Sequence, residues 1–174
     1  MLLSDDEKGE MKNKLLGETF GCAILDTGCS KSVCSEIWLE EYIQTLEEKV
    51  KENIKYETSD TLFRFGDNQV HQALKKVRIP AEIEGTKFMI NADVIDSEIP
   101  LLLSLTAMKK AGVIIDTKNE RVKMFDKYIK AFRTKVGHLC VALNRRVNVS
   151  KLPEYIHHQI LITNIEKLNT LTKN

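Results

Sequence analysis

Residues 22–30 read Cys-Ala-Ile-Leu-Asp-Thr-Gly-Cys-Ser, an apolar run that ends in a carboxylate followed at once by a hydroxyl residue and a glycine. Placing an ionisable Asp26 at the end of an apolar strand is costly unless something pairs with it, so a purely structural purpose would rarely select it. Two carboxylates a few ångströms apart can hydrolyse a peptide bond without a metal or a covalent intermediate: one deprotonates water while the other, protonated, polarises the carbonyl. Such a pair cannot ionise twice, so it shares a proton and titrates as one coupled unit. A second Asp-Thr pair, Asp116-Thr117, continues with Lys118 where a glycine is needed, so the second carboxylate is expected from a second copy of the chain. Gly28 permits backbone angles and close approaches that a side chain would obstruct, and the Thr27 hydroxyl can satisfy backbone groups across a dimer axis.

The elements that must position this turn follow from periodicity. Residues 18–25 predict the strand leading into it. Ser35 predicts the cap of a helix over residues 36–52, with Leu39, Ile43, Leu46 and Val50 on one face and Trp38 as a packing anchor near its start. From Thr61 the period changes to a hairpin around Gly66-Asp67-Asn68, and then to a long strand in which Val77, Ile79, Ala81 and Ile83 alternate with polar residues. A turn at Glu84-Gly85 returns the chain through Phe88, Ile90, Ala92, Val94 and Ile95. Residues 101–112 predict a short helix, and Val113–Ile115, Val122–Phe125 and Leu139–Leu143 predict three further strands. With Gly66 at the tip of an aromatic-rich hairpin, residues 63–69 suit a flap that closes over an extended peptide.

Composition bounds the partners. The 174 residues suffice for one domain with short extensions, and 26 Lys and Arg against 25 Asp and Glu leave a net charge of +1, with no drive toward nucleic acid or an anionic membrane. The acidic start lacks the basic and apolar segments of a signal peptide, and the apolar stretch at residues 99–105 is too short to span a bilayer, so a cytoplasmic, intracellular location is expected. Cys22, Cys29, Cys34 and Cys140 are expected to be reduced, although their even count leaves disulfides open. With His71, His138 or His157-His158 they could in principle hold zinc, but no Cys-x2-Cys or His-x3-His spacing is present. No metal and no cofactor is expected. Lys75-Lys76 and Arg145-Arg146, without interleaved aromatics, read as solvated faces.

Ile24 to Ser30, then Val33-Cys34 and Trp38-Leu39 with Tyr42, resemble the retropepsin-like aspartic protease domains of retrotransposon polyproteins. The later blocks Phe63–Asp67, Ile79–Ile83, Ile99–Ser104 with Ala107-Met108, and Gly137-His138 before Cys140 resemble the same group in the same order, over roughly residues 20–143. The resemblance implies an all-β, closed β-barrel of the acid protease fold with one or two short helices, working as a homodimer with its active site on the two-fold axis. It implies that Asp26 is catalytic, that Thr27 bonds across the dimer and Gly28 contacts substrate backbone, with Cys29 and Ser30 completing the turn. It makes Phe63, Phe65, Gly66, Asp67 and Asn68 the flap, and an extended peptide or Gag-Pol-like polyprotein the substrate, cleaved within transposon-encoded particles. The domain plan is then an N-terminal arm over 1–17, the protease domain over 18–143, and a linker over 144–174 with a helix marked by Leu161, Ile165, Leu168 and Leu171.

Two departures qualify the match. Leu103-Ser104 stands where many retropepsins carry a glycine, and Cys29 stands where alanine or serine is frequent. A thiol donates a weaker hydrogen bond than a hydroxyl, so less stabilisation of ionised Asp26 and an activity optimum nearer neutral are expected. The alternative functions are a retropepsin-like module that binds peptides or dimerises without cleaving, and a cysteine-based redox or zinc module.

Overall fold

The computed structural model describes residues 16–66 and 68–147. Most of the expected N-terminal arm, the flap residue Asp67 and the expected helix around residues 161–171 lie outside the described residues. What is described is mostly β, with short helices at its margins.

The predicted first strand is shorter than its apolar run. Residues 16–21 form a helical turn and bend, with Thr19 buried, and β1 spans only Cys22–Asp26. Gly21 enforces the break: it sits at φ +65°, and a Cβ there would come within 2.6 Å of the Val147 side chain. β2 (Val33–Ser35) follows the turn, and Ser35 caps α1 (Glu36–Gln44) by accepting from the Trp38 N–H at 3.2 Å. The expected single helix over 36–52 is two pieces, α1 and α2 (Glu48–Lys51). Thr45 interrupts it, because its Oγ1 donates back to the Tyr42 carbonyl at 2.6 Å and competes with continuation.

β3 (Lys55–Glu57) and β4 (Leu62–Arg64) pair separately with the long β5 (Val70–Ile83), whose hairpin partner is β6 (Thr86–Ile95). Glu84 and Gly85, both at positive φ, make the two-residue turn expected at that place. Along β5 the alternation holds: Val77, Ile79, Ala81 and Ile83 are buried. Its register with β6 shifts between Ala73 and Lys75, a bulge just past the Val70–Gln72 stretch that pairs with β4.

Residues 101–112, expected as one helix, are a strand followed by a helix: β7 (Leu101–Ser104) and α3 (Leu105–Lys110). A short apolar run is ambiguous between the two states, and here Leu101 and Leu103 are buried in a strand set between β1 and β2. β8 (Ile114–Asp116), β9 (Arg121–Met124) and β10 (Lys127–Ile129) form a separate three-stranded sheet, and β11 (Phe132–Arg133) and β12 (Leu139–Ala142) complete the main one.

The main sheet runs β11-β12-β1-β7-β2-β6-β5-β3, with β4 attached to β5. It is not closed into the expected barrel, because β11 and β3, the strands at its two ends, are not paired with each other. Helices also exceed the expected one or two. Trp38 and Tyr42 stack at 5.0 Å over the core, and the Tyr42 hydroxyl donates to the Pro80 carbonyl at 2.7 Å.

All four cysteines are free, and Cys22, Cys34 and Cys140 are buried. Burial pushes the thiols of Cys22 and Cys34 up, and pushes Cys140 up to about 12, with the Glu18 charge adding to it. Unfolded thiols ionise near roughly pH 8.5, whereas these stay protonated in the fold, so above that pH the unfolded chain binds fewer protons and stability falls. Each buried thiol should cost about 1 kcal/mol one pH unit above its unfolded value, the loss continuing until the folded thiol itself ionises. Urea midpoints across the alkaline range test this. A midpoint as steady as that of a Cys22→Ala, Cys34→Ala, Cys140→Ala variant would contradict it.

Candidate active site

β1 delivers Asp26 to the end of a strand held on both sides. Leu25 and Asp26 lie opposite Leu103 and Ser104 of the parallel β7, and Ile24 lies opposite Cys140 of the antiparallel β12. Past Asp26 the chain turns tightly, with the Cys29 N–H donating to the Asp26 carbonyl at 3.2 Å. The Gly28 N–H donates to Asp26 Oδ1 at 2.9 Å, which fixes the carboxylate plane. The Asp26 Oδ2 has no partner among the described residues and is left for water, substrate or a second carboxylate. A Cβ at Gly28 would stand 3.3 Å from Asp26 Oδ1, so the close approach is what demands glycine; its φ is not positive.

The turn is tied to α3. The Leu105 N–H donates to the Cys29 carbonyl at 2.9 Å, and Thr106 Oγ1 donates to the Ser30 carbonyl at 3.4 Å. Beneath it lies a buried hydroxyl pair that sequence reasoning missed. Ser32 Oγ donates to Ser104 Oγ at 3.2 Å and accepts from the Ser104 N–H at 3.0 Å, while Ser104 Oγ caps α3 by accepting from the Ala107 N–H at 3.2 Å. Ser104 therefore locks β7, α3 and the segment after the Asp26 turn together. A serine directly after an apolar run is a helix-start signal and was legible; Ser32 carried none. Ser104→Ala should lower stability by about 1–2 kcal/mol, since it removes a cap and a buried partner of Ser32. An unchanged urea midpoint would show that the pair does not hold the turn.

Thr27 and Ser30 are exposed, and the Thr27 hydroxyl has no hydrogen-bond partner among the described residues. Cys29 donates its thiol to the Lys31 carbonyl at 2.7 Å, not to Asp26. Partial burial and the Asp26 charge raise its pKa, while the Lys31 bond opposes them. The expected influence of Cys29 as a donor to the carboxylate is thus replaced by a through-space one.

The hairpin expected as a flap reaches the turn through a shared apolar cluster. Cys29, Phe63 and Phe65 all pack against buried Val33, Ala73 and Ile95. Phe63 stacks on Phe65 at 6.2 Å, and Phe65 meets His71 at 5.4 Å. Lys31 Nζ donates to Thr61 Oγ1 at 3.4 Å at the hairpin base. The hairpin bend rests on Asn68 at φ +60°, whose N–H donates to the Phe65 carbonyl at 3.0 Å, and not on Gly66, where a Cβ would meet nothing.

Asp116 is elsewhere. Its carboxylate accepts from the Lys118 and Asn119 N–H groups and the Asn119 side chain, which hold it below the usual carboxylate range. Among the described residues no three His, Cys, Asp or Glu side chains are gathered so as to hold a metal, and no helix is long and apolar enough to cross a membrane.

No family model matches the chain, and no curated protein matches it. Among solved structures it is similar to the retroviral protease-like domain of Ddi1 from Leishmania major, at 15% identity, with 62% of this chain and 80% of that one covered and a TM-score of 0.39. At that distance, the function must be read from the chain's own residues.

Proposed function

We propose that the protein is an aspartic endopeptidase of the retropepsin type, active as a homodimer in which two Asp26 carboxylates share one proton and activate water between them. The observation that carries this reading is the Asp26 turn itself: a carboxylate at a strand end, with one oxygen fixed by the Gly28 N–H and the other open. A single turn supplies half of the chemistry. Asp116 is committed to its own loop, and no other carboxylate among the described residues shares a hydrogen bond with Asp26, so the second is assigned to a second copy. On this reading exposed Thr27, whose hydroxyl has no partner among the described residues, bonds across that two-fold axis.

In the resulting site the ionised Asp26 takes a proton from water while the protonated one donates to the substrate carbonyl oxygen. The two roles exchange as the amine leaves. The Phe63–Phe65 hairpin covers an extended polypeptide and excludes water. The hairpin and the strand leading from it carry exposed Leu62, Val70 and Leu74. Processing of a Gag-Pol-like polyprotein is the substrate assignment that the order of sequence blocks favours.

Cleavage of a mixed library of extended peptides between about pH 4 and 8, with and without a statine-type transition-state inhibitor, tests the reading, alongside sedimentation to establish the dimer. Inhibitor-sensitive cleavage by a dimer is expected. A dimer that cleaves nothing at any pH would overturn the enzyme assignment in favour of a peptide-binding module.

A further inference from the structure

Beside the catalytic turn, a cleft of about 650 Å³ starts at Ser30, Lys31 and Ser32 and runs along β6 from Phe88 to Asp93, facing Thr106, Ala107 and Lys110 of α3 and Phe125. Its volume falls within the ordinary range of ligand clefts. Among the described residues, one side of it is an open sheet edge. β2 pairs with β6 only over Asp93–Ile95, whereas β5 covers the whole opposite side of β6. The Asp93 N–H donates to the Ser32 carbonyl at 2.9 Å, so it points toward the β2 side. Because an antiparallel strand turns alternate residues toward its partner, the N–H and C=O groups of Asn91 and Met89 point the same way as those of Asp93, past the end of β2 and into the cleft.

The cleft is also cationic. Lys55 and Arg78 lie directly opposite each other in the β3–β5 pair, both exposed, and Lys31, Lys76 and Lys110 also line the cleft. Like charges directly opposite are destabilising. Among the described residues neither Lys55 nor Arg78 forms an ion pair: Glu57 lies opposite Lys76, two positions along, and Asp93 is buried and accepts from Ser59 Oγ at 2.5 Å. The floor is apolar, with Phe88 against Phe125 at 4.8 Å. A cationic rim repels a second basic edge and admits an acidic one.

We infer that this cleft takes an extended acidic peptide segment as an added strand on the free edge of β6 at Met89 and Asn91, its carboxylates meeting Arg78, Lys55 and Lys110. The inference rests on the protease reading only in making that segment a distal part of the substrate, since the cleft begins where the catalytic turn ends. Main-chain pairing supplies binding and the cations supply selection.

The test uses full-length protein carrying Asp26→Asn, so that binding is read without cleavage. Fluorescein-labelled peptides about ten residues long, alternating Glu with Val or Gln with Val, are compared by anisotropy at low salt, together with the Glu peptide N-methylated at alternate residues so that it cannot pair with an edge. The Glu peptide should bind about 10-fold tighter than the Gln peptide, N-methylation should abolish binding, and Arg78→Glu with Lys110→Glu should erase the preference. Equal binding of the Glu and Gln peptides, undiminished binding of the N-methylated peptide, or a preference that survives in the correctly folded charge variant would overturn the inference. So would a single-stranded oligonucleotide that displaces the Glu peptide at lower concentration. Selective binding of the Glu peptide by a wild-type protein that cleaves no peptide would remove the protease reading and leave the cleft assignment standing; cleavage without acidic preference would do the reverse.

Discussion

Asp26→Asn should lower peptide cleavage by about 10²- to 10⁴-fold, the usual contribution of a positioned general acid or base, and leave the fold unchanged. The geometry predicts both halves of that result. Asparagine keeps a carbonyl oxygen where Oδ1 accepts the Gly28 N–H at 2.9 Å, so the turn loses no hydrogen bond. Asp26 is only half-buried, and the residue pairs through its backbone with Ser104, so its side chain bears little of the packing. What disappears on the proposed mechanism is the ionisable pair, since a dimer of the variant would have no carboxylate on either side to take the proton from water. A mixed dimer carrying one Asp26 is expected to be equally silent, because a lone carboxylate has no protonated partner to polarise the carbonyl. The measurement is cleavage of a single optimised peptide by wild type and variant, with the urea midpoint as control for folding. Wild-type rates in a variant with an unchanged midpoint would remove Asp26 from the mechanism and the shared-proton scheme with it.

How much of this was legible in the residues depended on whether the signal was local. The alternation of Val77 through Ile83, the Glu84-Gly85 turn and the Ser35 cap each rest on contacts within a few residues, and each is present as expected. Residues 101–104 were misread because an apolar run of that length fits a helix face and a buried strand equally well. What decides for the strand is β1 and β2 on either side of it, contacts with segments distant in the chain that periodicity does not carry. Val33–Ser35 and Lys55–Glu57 were invisible for a related reason: three-residue strands exist only by virtue of the partners they meet. The site divides along the same line. Asp26, Gly28 and the aromatic hairpin were named from the sequence, whereas the Ser32–Ser104 pair that supports the turn joins segments 72 residues apart.

The largest effect on stability should come from Trp38→Ala. Trp38 has no exposed surface, stacks on Tyr42 at 5.0 Å, and donates its indole N–H to the Cys22 carbonyl at 3.1 Å and the Thr19 carbonyl at 3.3 Å. It therefore fastens α1 to the chain just where β1 begins, four residues before Asp26. Truncating a buried tryptophan costs about 3–5 kcal/mol, a large share of a domain stability of about 5–15 kcal/mol. Trp38→Phe keeps a ring against Tyr42 and removes the indole hydrogen bonds with part of the buried ring, for a cost of about 1–3 kcal/mol. If the bonds to Cys22 and Thr19 also set the position of β1, the phenylalanine variant will lose more cleavage activity than its urea midpoint accounts for when assayed well below that midpoint. Full activity in a measurably destabilised Trp38→Phe would instead assign Trp38 to packing alone, and leave the position of Asp26 to the pairing of β1 with β7 and β12.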